Sequence, residues 1–214
     1  MTKPDPTAVP DAWPPSAGDA VVVPMFPLRG VFLLPRQVLP LHVFEPRYRQ
    51  LVEDVLDRNG RLVMATVLEG EFGGEDGSAP KVLPIAGLGE IARHDKTPDG
   101  RYFIWLFGVG RHALEEVESD RLYRKVRARP LAELEPSDAA QRELTPRLRA
   151  ALESRSTEPQ DLPPDIPLAV LADALSSKLH LPQGAMEPIF CEVDIAARAR
   201  RVLEAHDAFP PPAT

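Results

Sequence analysis

Five prolines between Val23 and Arg49, at positions 24, 27, 35, 40 and 46, constrain the fold more than any other feature of the chain. Each lacks the backbone donor that a helix interior or a central strand requires. The residues around them are nevertheless strongly apolar and extended in pattern, from Val21 to Phe26 and from Val38 to Phe44. This combination predicts strands at sheet edges or beside bulges. Pro46 sits where the first turn of a helix tolerates it, and Tyr48, Leu51, Val52, Val55 and Leu56 recur at intervals of three and four. That spacing predicts one amphipathic helix ending near Asn59-Gly60.

Leu62 to Leu68 reads as a buried strand, and the glycine-rich stretch Glu69 to Pro80 as a loop. Val82 to Ile91 and Arg101 to Val117 read as long strands around Pro98-Asp99-Gly100, whose Asp-Gly pair suits a tight hairpin. Gly87, Gly89, Gly108 and Gly110 interrupt those strands and predict bulges or strong coiling, as in a small closed barrel. Leu122 to Leu134 completes the sheet. After Pro136 the pattern turns helical. Ser137 and Asp138 are suited to cap a helix running to about Glu153, and a Pro-rich connector follows from Glu158 to Pro167. Leu168, Leu171, Leu175 and Leu179 mark a second helix, Gly184 to Glu192 a third, and Asp194 caps a fourth carrying Ile195, Ala199, Val202 and Leu203.

The expected organisation is therefore α+β. A Pro-rich tail of low order spans residues 1–20, with Trp13 its one large apolar group. A coiled β-barrel with one inserted helix spans 21–136, a small helical bundle 137–206 and a second Pro-rich tail 207–214. With 43% hydrophobic residues over 214 positions the chain can bury a substantial core. Its net charge of -7 argues against a dedicated coat for nucleic acid or anionic membranes. The single cysteine, Cys191, leaves no internal disulfide. No stretch approaches the roughly 20 apolar residues of a membrane span, and the first residues lack a signal-peptide core. A soluble cytoplasmic protein is expected.

Chemistry finds little support in the residue pattern. His42 and Glu45 straddle a strand-to-helix junction without a third ligand, so no metal is expected. His94-Asp95 and His206-Asp207 are adjacent pairs whose side chains diverge, and no serine lies in a G-x-S-x-G elbow. No cofactor is expected. Two stretches carry binding potential instead. Val31, Phe32, Leu33 and Leu34 lie in a loop bounded by Gly30 and Pro35, from which four large apolar side chains cannot all enter one core. They either plug the barrel end or offer a contact surface to a polypeptide. Arg121 to Arg129 is the concentrated basic stretch, with Leu122, Val126 and Ala128 on one side of a strand and Tyr123, Lys125 and Arg127 on the other. Acidic Glu115, Glu116, Glu118 and Asp120 precede it and can neutralise it.

The opening run, Gly87-Leu88-Gly89-Glu90-Ile91, Asp99-Gly100-Arg101, Gly108-Val109-Gly110-Arg111, and the helical residues Leu171-Ala172-Asp173, Leu175, Leu179, Ile189, Asp194 and Arg198 together resemble the Lon protease amino-terminal domain over residues 20–205. The resemblance implies a barrel of the PUA-like type, named after pseudouridine synthase and archaeosine transglycosylase, followed by a helical appendage that engages protein substrates. Full-length Lon carries ATPase and Ser-Lys peptidase modules, whereas these 214 residues contain no G-x-x-x-x-G-K-[ST] loop to hold nucleotide. The expectation is a stand-alone, non-catalytic module that binds unfolded or partner polypeptides, with Val31 to Leu34 as its contact. Because PUA-like barrels include RNA binders, Tyr123, Arg124, Lys125 and Arg127 form the first alternative, an RNA-binding face; the second is a small hydrolase with a site assembled from distant acids and histidines.

Overall fold

A computed structural model describes residues 19–71, 79–156 and 162–209. Most of both expected tails, including Trp13, and parts of the glycine-rich loop and the Pro-rich connector lie outside the described residues. The chain divides into two units, Met1–Leu131 and Ala132–Thr214.

The first unit contains strands β1 (Val21–Arg29), β2 (Val38–Val43), β3 (Arg61–Val67), β4 (Ile85–Lys96), β5 (Tyr102–Val117) and β6 (Lys125–Pro130), with helix α1 (Pro46–Leu56) between β2 and β3. They form a mixed sheet in the order β2-β5-β4-β3-β1-β6, and a further β5–β6 pairing closes β5, β4, β3, β1 and β6 into a ring of hydrogen-bonded strands. The edge of β5 opposite β4 is shared. Tyr102 to Phe107 pairs with β2, and His112 to Val117 pairs with β6.

The proline rule holds for β2, which ends the strand order with Pro40 in its middle, but β1 is not an edge strand. It lies between β6 and β3 and carries Pro24 and Pro27. The two neighbours each cover only part of it: Val21 to Pro24 pairs antiparallel with β6, and Met25 to Arg29 pairs parallel with β3. Met25 N–H donates to the Arg124 carbonyl (2.8 Å) on the β6 side. Successive N–H groups alternate edges, so the nitrogen of Pro24 faces the β3 side before that ladder opens, and that of Pro27 faces the β6 side after that ladder has ended.

β3 is buried on both faces, which separates two clusters. Val63 and Ala65 pack with Val23, Met25, Ala86, Leu88, Val126 and Ala128. On the other face, Leu62 and Met64 meet Phe26, Ile104, Leu106 and the apolar stripe Tyr48, Leu51, Val52 and Val55 of α1. The helix thus fixes one face of the sheet. Tyr48 stacks on Phe26 with ring centroids 4.1 Å apart, and Gly60, at φ +67°, supplies the left-handed residue that turns the chain into β3.

The second unit is a helical cluster: α2 (Asp138–Ser154), α3 (Leu168–Lys178), α4 (Gln183–Phe190) and α5 (Ile195–Ala208). Ser137 caps α2 by accepting from Ala140 N–H, and Asp194 caps α5 by accepting from Ala197 N–H. Leu144, Leu148, Leu171, Leu175, Ala199 and Val202 fill its centre. Within it, Arg198 is fully buried. Its Nη1 lies 2.6 Å from Glu133 and donates to the Glu192 carbonyl at 2.8 Å. Nε lies 3.3 Å from Asp173 Oδ1, close enough for charge pairing but misaligned as a hydrogen bond.

At the end of the same unit, Arg155 Nε donates to His206 Nδ1 at 2.8 Å, and its Nη2 reaches the carbonyls of His206 and Phe209. The bond requires an unprotonated Nδ1. Desolvation, reinforced by the Arg155 charge and opposed by Asp207, holds the His206 pKa below its ordinary value. In the first unit burial does the same to His112. Both folded-state values lie below the unfolded one, so the unfolded chain takes up protons more readily once the pH falls below about 6.5. Stability is therefore full above that pH and declines as it drops. We expect a lower melting temperature at pH 5 than at pH 7, and a shallower decline in His206→Gln, whose amide oxygen still accepts from Arg155. Equal slopes would remove His206 from this account.

Candidate polypeptide-binding surfaces

The segment Val31 to Leu34 is positioned by the strands beneath it. Leu33 and Leu34 are buried, while Val31 and Phe32 are half-buried. A Cβ on Gly87 would lie 2.2 Å from the Leu33 carbonyl oxygen, and one on Gly108 would lie 2.0 Å from that of Leu34. The loop backbone therefore rests directly on the backbones of β4 and β5, and the side chain of Leu33 enters the cluster beneath α1. A turn holds it there. Gln37 N–H donates to the Leu34 carbonyl (3.2 Å), Arg36 adopts φ +63°, and Arg36 N–H and Gly108 N–H bond to the Gly108 and Gln37 carbonyls, each at 2.8 Å. Leu33 and Leu34 act as a plug and offer no contact surface, which narrows the expected surface to Val31 and Phe32.

The basic stretch also differs from expectation. Strand β6 begins at Lys125, so the alternation read from Arg121 onward starts four residues late. Leu122 is exposed, whereas Tyr123 is buried and donates to Asp54 Oδ2 at 2.6 Å. Burial first, and then this bond to a carboxylate, push the Tyr123 pKa up to about 12. Arg124 makes two bonds to Glu116 (2.7 and 2.6 Å) and one to the Pro80 carbonyl (2.8 Å). Lys125 pairs with Asp120, and Arg127 with Glu115 at 2.9 Å. The acidic residues upstream thus neutralise this face residue by residue, and Tyr123 is not available to stack on a base.

A surface that sequence reasoning missed lies on β2 and β5. Within Tyr102 to Phe107, Tyr102, Ile104 and Leu106 point into the cluster under α1, while Phe103 and Phe107 are exposed and Trp105 is half-buried on the other face. Across the ladder, Val38 opposes Phe107, Pro40 opposes Trp105 and His42 opposes Phe103; all three β2 residues are exposed. His42 stacks on Phe103 with centroids 4.6 Å apart, and Phe44, 57% exposed, lies beside it. Arg93 of β4 covers Trp105 at 4.6 Å and pairs with Asp95. The signal in the sequence is an unbroken apolar run on a strand, which places apolar side chains on both faces. His42 therefore serves an aromatic stack, and Glu45 lies beyond the strand, at the N-terminus of α1. No group of three potential metal ligands occurs among the described residues.

Residues 22–205 match the substrate-binding domain of ATP-dependent protease La (Lon). The chain is 29% identical to Lon protease 2 of Sorangium cellulosum over 221 aligned residues, which cover 92% of the chain and 26% of that protein. It thus spans about a quarter of the length of this relative. Two solved structures share the fold. A Lon N-terminal domain protein from Xanthomonas campestris superposes with a TM-score of 0.63 at 22% identity, covering 86% of this chain and 98% of its own. The N-terminal domain of Mycobacterium avium complex Lon protease superposes with a TM-score of 0.64 at 15% identity, covering 87% and 98%. With the mixed sheet and the helical unit both included in the matched span, the chain belongs to the Lon substrate-binding domain family.

Proposed function

We propose that the chain is a non-catalytic binding module that captures exposed hydrophobic segments of polypeptides on the open face of β2 and β5. The observation that carries this reading is the outward row Phe103, Trp105 and Phe107, continued across the ladder by Val38, Pro40 and His42. An apolar sheet face turned to water is costly unless it meets a partner, and aromatic side chains supply large contact area for little lost freedom. Val31 and Phe32 form a smaller second contact. The closed circuit of five strands supports the PUA-like barrel assignment, and the paired state of Arg124, Lys125 and Arg127 disfavours RNA. The described residues contain no helix long and apolar enough to cross a membrane. With one cysteine in the chain, we place the module in the cytoplasm, serving protein quality control.

Burying one such aromatic is worth about 1.5 to 3 kcal/mol gross, part of which ordering and association remove. Affinity for an unfolded, carboxymethylated model protein is therefore expected in the micromolar range, with far weaker retention of the same protein folded. Trp105→Ser combined with Phe107→Ser should weaken binding by about tenfold or more while leaving the melting temperature nearly unchanged, because neither side chain is in the buried core. Equal retention of folded and unfolded protein, or undiminished binding by the double variant, would refute the proposal.

A further inference from the structure

The aromatic face carries a side chain whose charge can change near neutral pH. His42 of β2 stands opposite Phe103, and its exposed imidazole is stacked on that ring with centroids 4.6 Å apart and an interplanar angle of 14°. Histidine is the side chain that ordinarily gains or loses its proton between about pH 5 and 8. We infer that His42 makes polypeptide capture on this face pH-dependent: the neutral imidazole is tolerated beneath a hydrophobic client, and its protonation releases the client. The inference rests on the polypeptide-binding reading proposed above and concerns the regulation of that same face.

Position is the first support. The imidazole sits among apolar groups, with Phe103 across the ladder, the Phe44 ring at 5.7 Å and Pro40 two residues back on the same side of β2. A segment that covers Phe103 therefore covers His42 as well. Removing a neutral imidazole from water is a modest cost, whereas an imidazolium covered by apolar groups is strongly penalised unless it meets a partner. On the uncovered face the charged ring keeps water on one side and the electron-rich face of Phe103 on the other. The open face thus holds the proton better than the covered one.

The charged surroundings are the second support. On β4, Asp95 stands opposite Phe103 and is held by Arg93 at 3.0 Å. Beyond the strand ends, Glu45 pairs with Arg47 at 2.8 Å and Asp99 with Arg101 at 2.9 Å. His94 stands opposite Ile104, on the face that α1 covers, and Glu53 of α1 is bonded there to Lys96 and Tyr102. Each of these carboxylates already has its cation. A client without acidic residues brings none either, so the imidazolium would be covered unpaired.

The test uses the full chain and a blocked peptide of Leu, Phe, Ser and Gln, which has no titrating group of its own in this range, followed by isothermal calorimetry. Binding is expected to be about fivefold or more weaker at pH 5.5 than at pH 7.5. At pH 6.5, in buffers of different ionisation enthalpy, it should release a fraction of a proton per peptide. His42→Phe keeps a ring beside Phe103 without the proton, and His42→Gln keeps polarity without the charge. Both should bind equally at the two pH values and release no proton. Binding by these variants at pH 5.5 also separates the effect from the acid destabilisation assigned to His206 and His112, which they retain. Capture that is as tight or tighter at pH 5.5, or a loss that persists in both variants, overturns the inference and leaves the polypeptide-binding reading standing. A peptide that binds at neither pH overturns both.

Discussion

Arg198→Ala is expected to cost about 3 to 5 kcal/mol of unfolding free energy, the effect of removing one partner from a buried ion pair. The side chain is wholly inaccessible to solvent and faces two carboxylates, Asp173 on α3 and Glu133 ahead of α2. Glu133 retains 29% side-chain exposure and can recover hydration, but Asp173 retains only 7% and would be left as a buried charge. The lost bond to the Glu192 carbonyl adds an unpaired backbone acceptor just before α5. Urea unfolding followed by circular dichroism measures the loss. The double change Arg198→Met with Asp173→Leu should restore most of it, because apolar groups of similar volume often replace a buried pair at little cost. A single variant that loses less than about 1 kcal/mol would mean that the pair contributes little beyond packing.

Gly108→Ala should be the most damaging small change in the first unit. Its Cβ would sit 2.0 Å from the Leu34 carbonyl oxygen, which belongs to a backbone held by hydrogen bonds on both sides of the contact. Relief requires the plug loop to lift from β5, exposing Leu33 and Leu34 and breaking the bonds from Arg36 and to Gln37. The expected cost is about 3 kcal/mol, or a fall on the order of 10 °C in melting temperature. Gly110→Ala is the control. Its nearest neighbour would be His112 Cε1 at 3.9 Å, an ordinary contact, so it should be nearly neutral. If both variants melt alike, the loop is not seated as described.

The same two glycines show where sequence reading succeeds and where it stops. Glycine pairs at 87/89 and 108/110 were legible as interruptions of long strands, and a register shift does fall between Leu88 and Gly89. What they make room for was not legible, because the crossing backbone comes from residues more than fifty positions upstream. The helices were read closely, since Ser137, Asp194, Pro46 and the leucine spacings are local signals with local causes. Tyr123 was misplaced because period-two alternation was extended into a turn, where no ladder enforces it. The aromatic face was visible as an apolar run, but which half faced water depends on where α1 packs.

Pro40 bears on a hazard that any module displaying an apolar face must manage. The strand that carries it ends the sheet order, and the β5 register runs unbroken across it, which places the missing donor on the open edge. An incoming strand would find no hydrogen there at mid-length, so copies of the chain are discouraged from stacking edge to edge while the apolar face beside that edge stays uncovered. Resistance of this edge to self-polymerisation thus traces to a single imino acid.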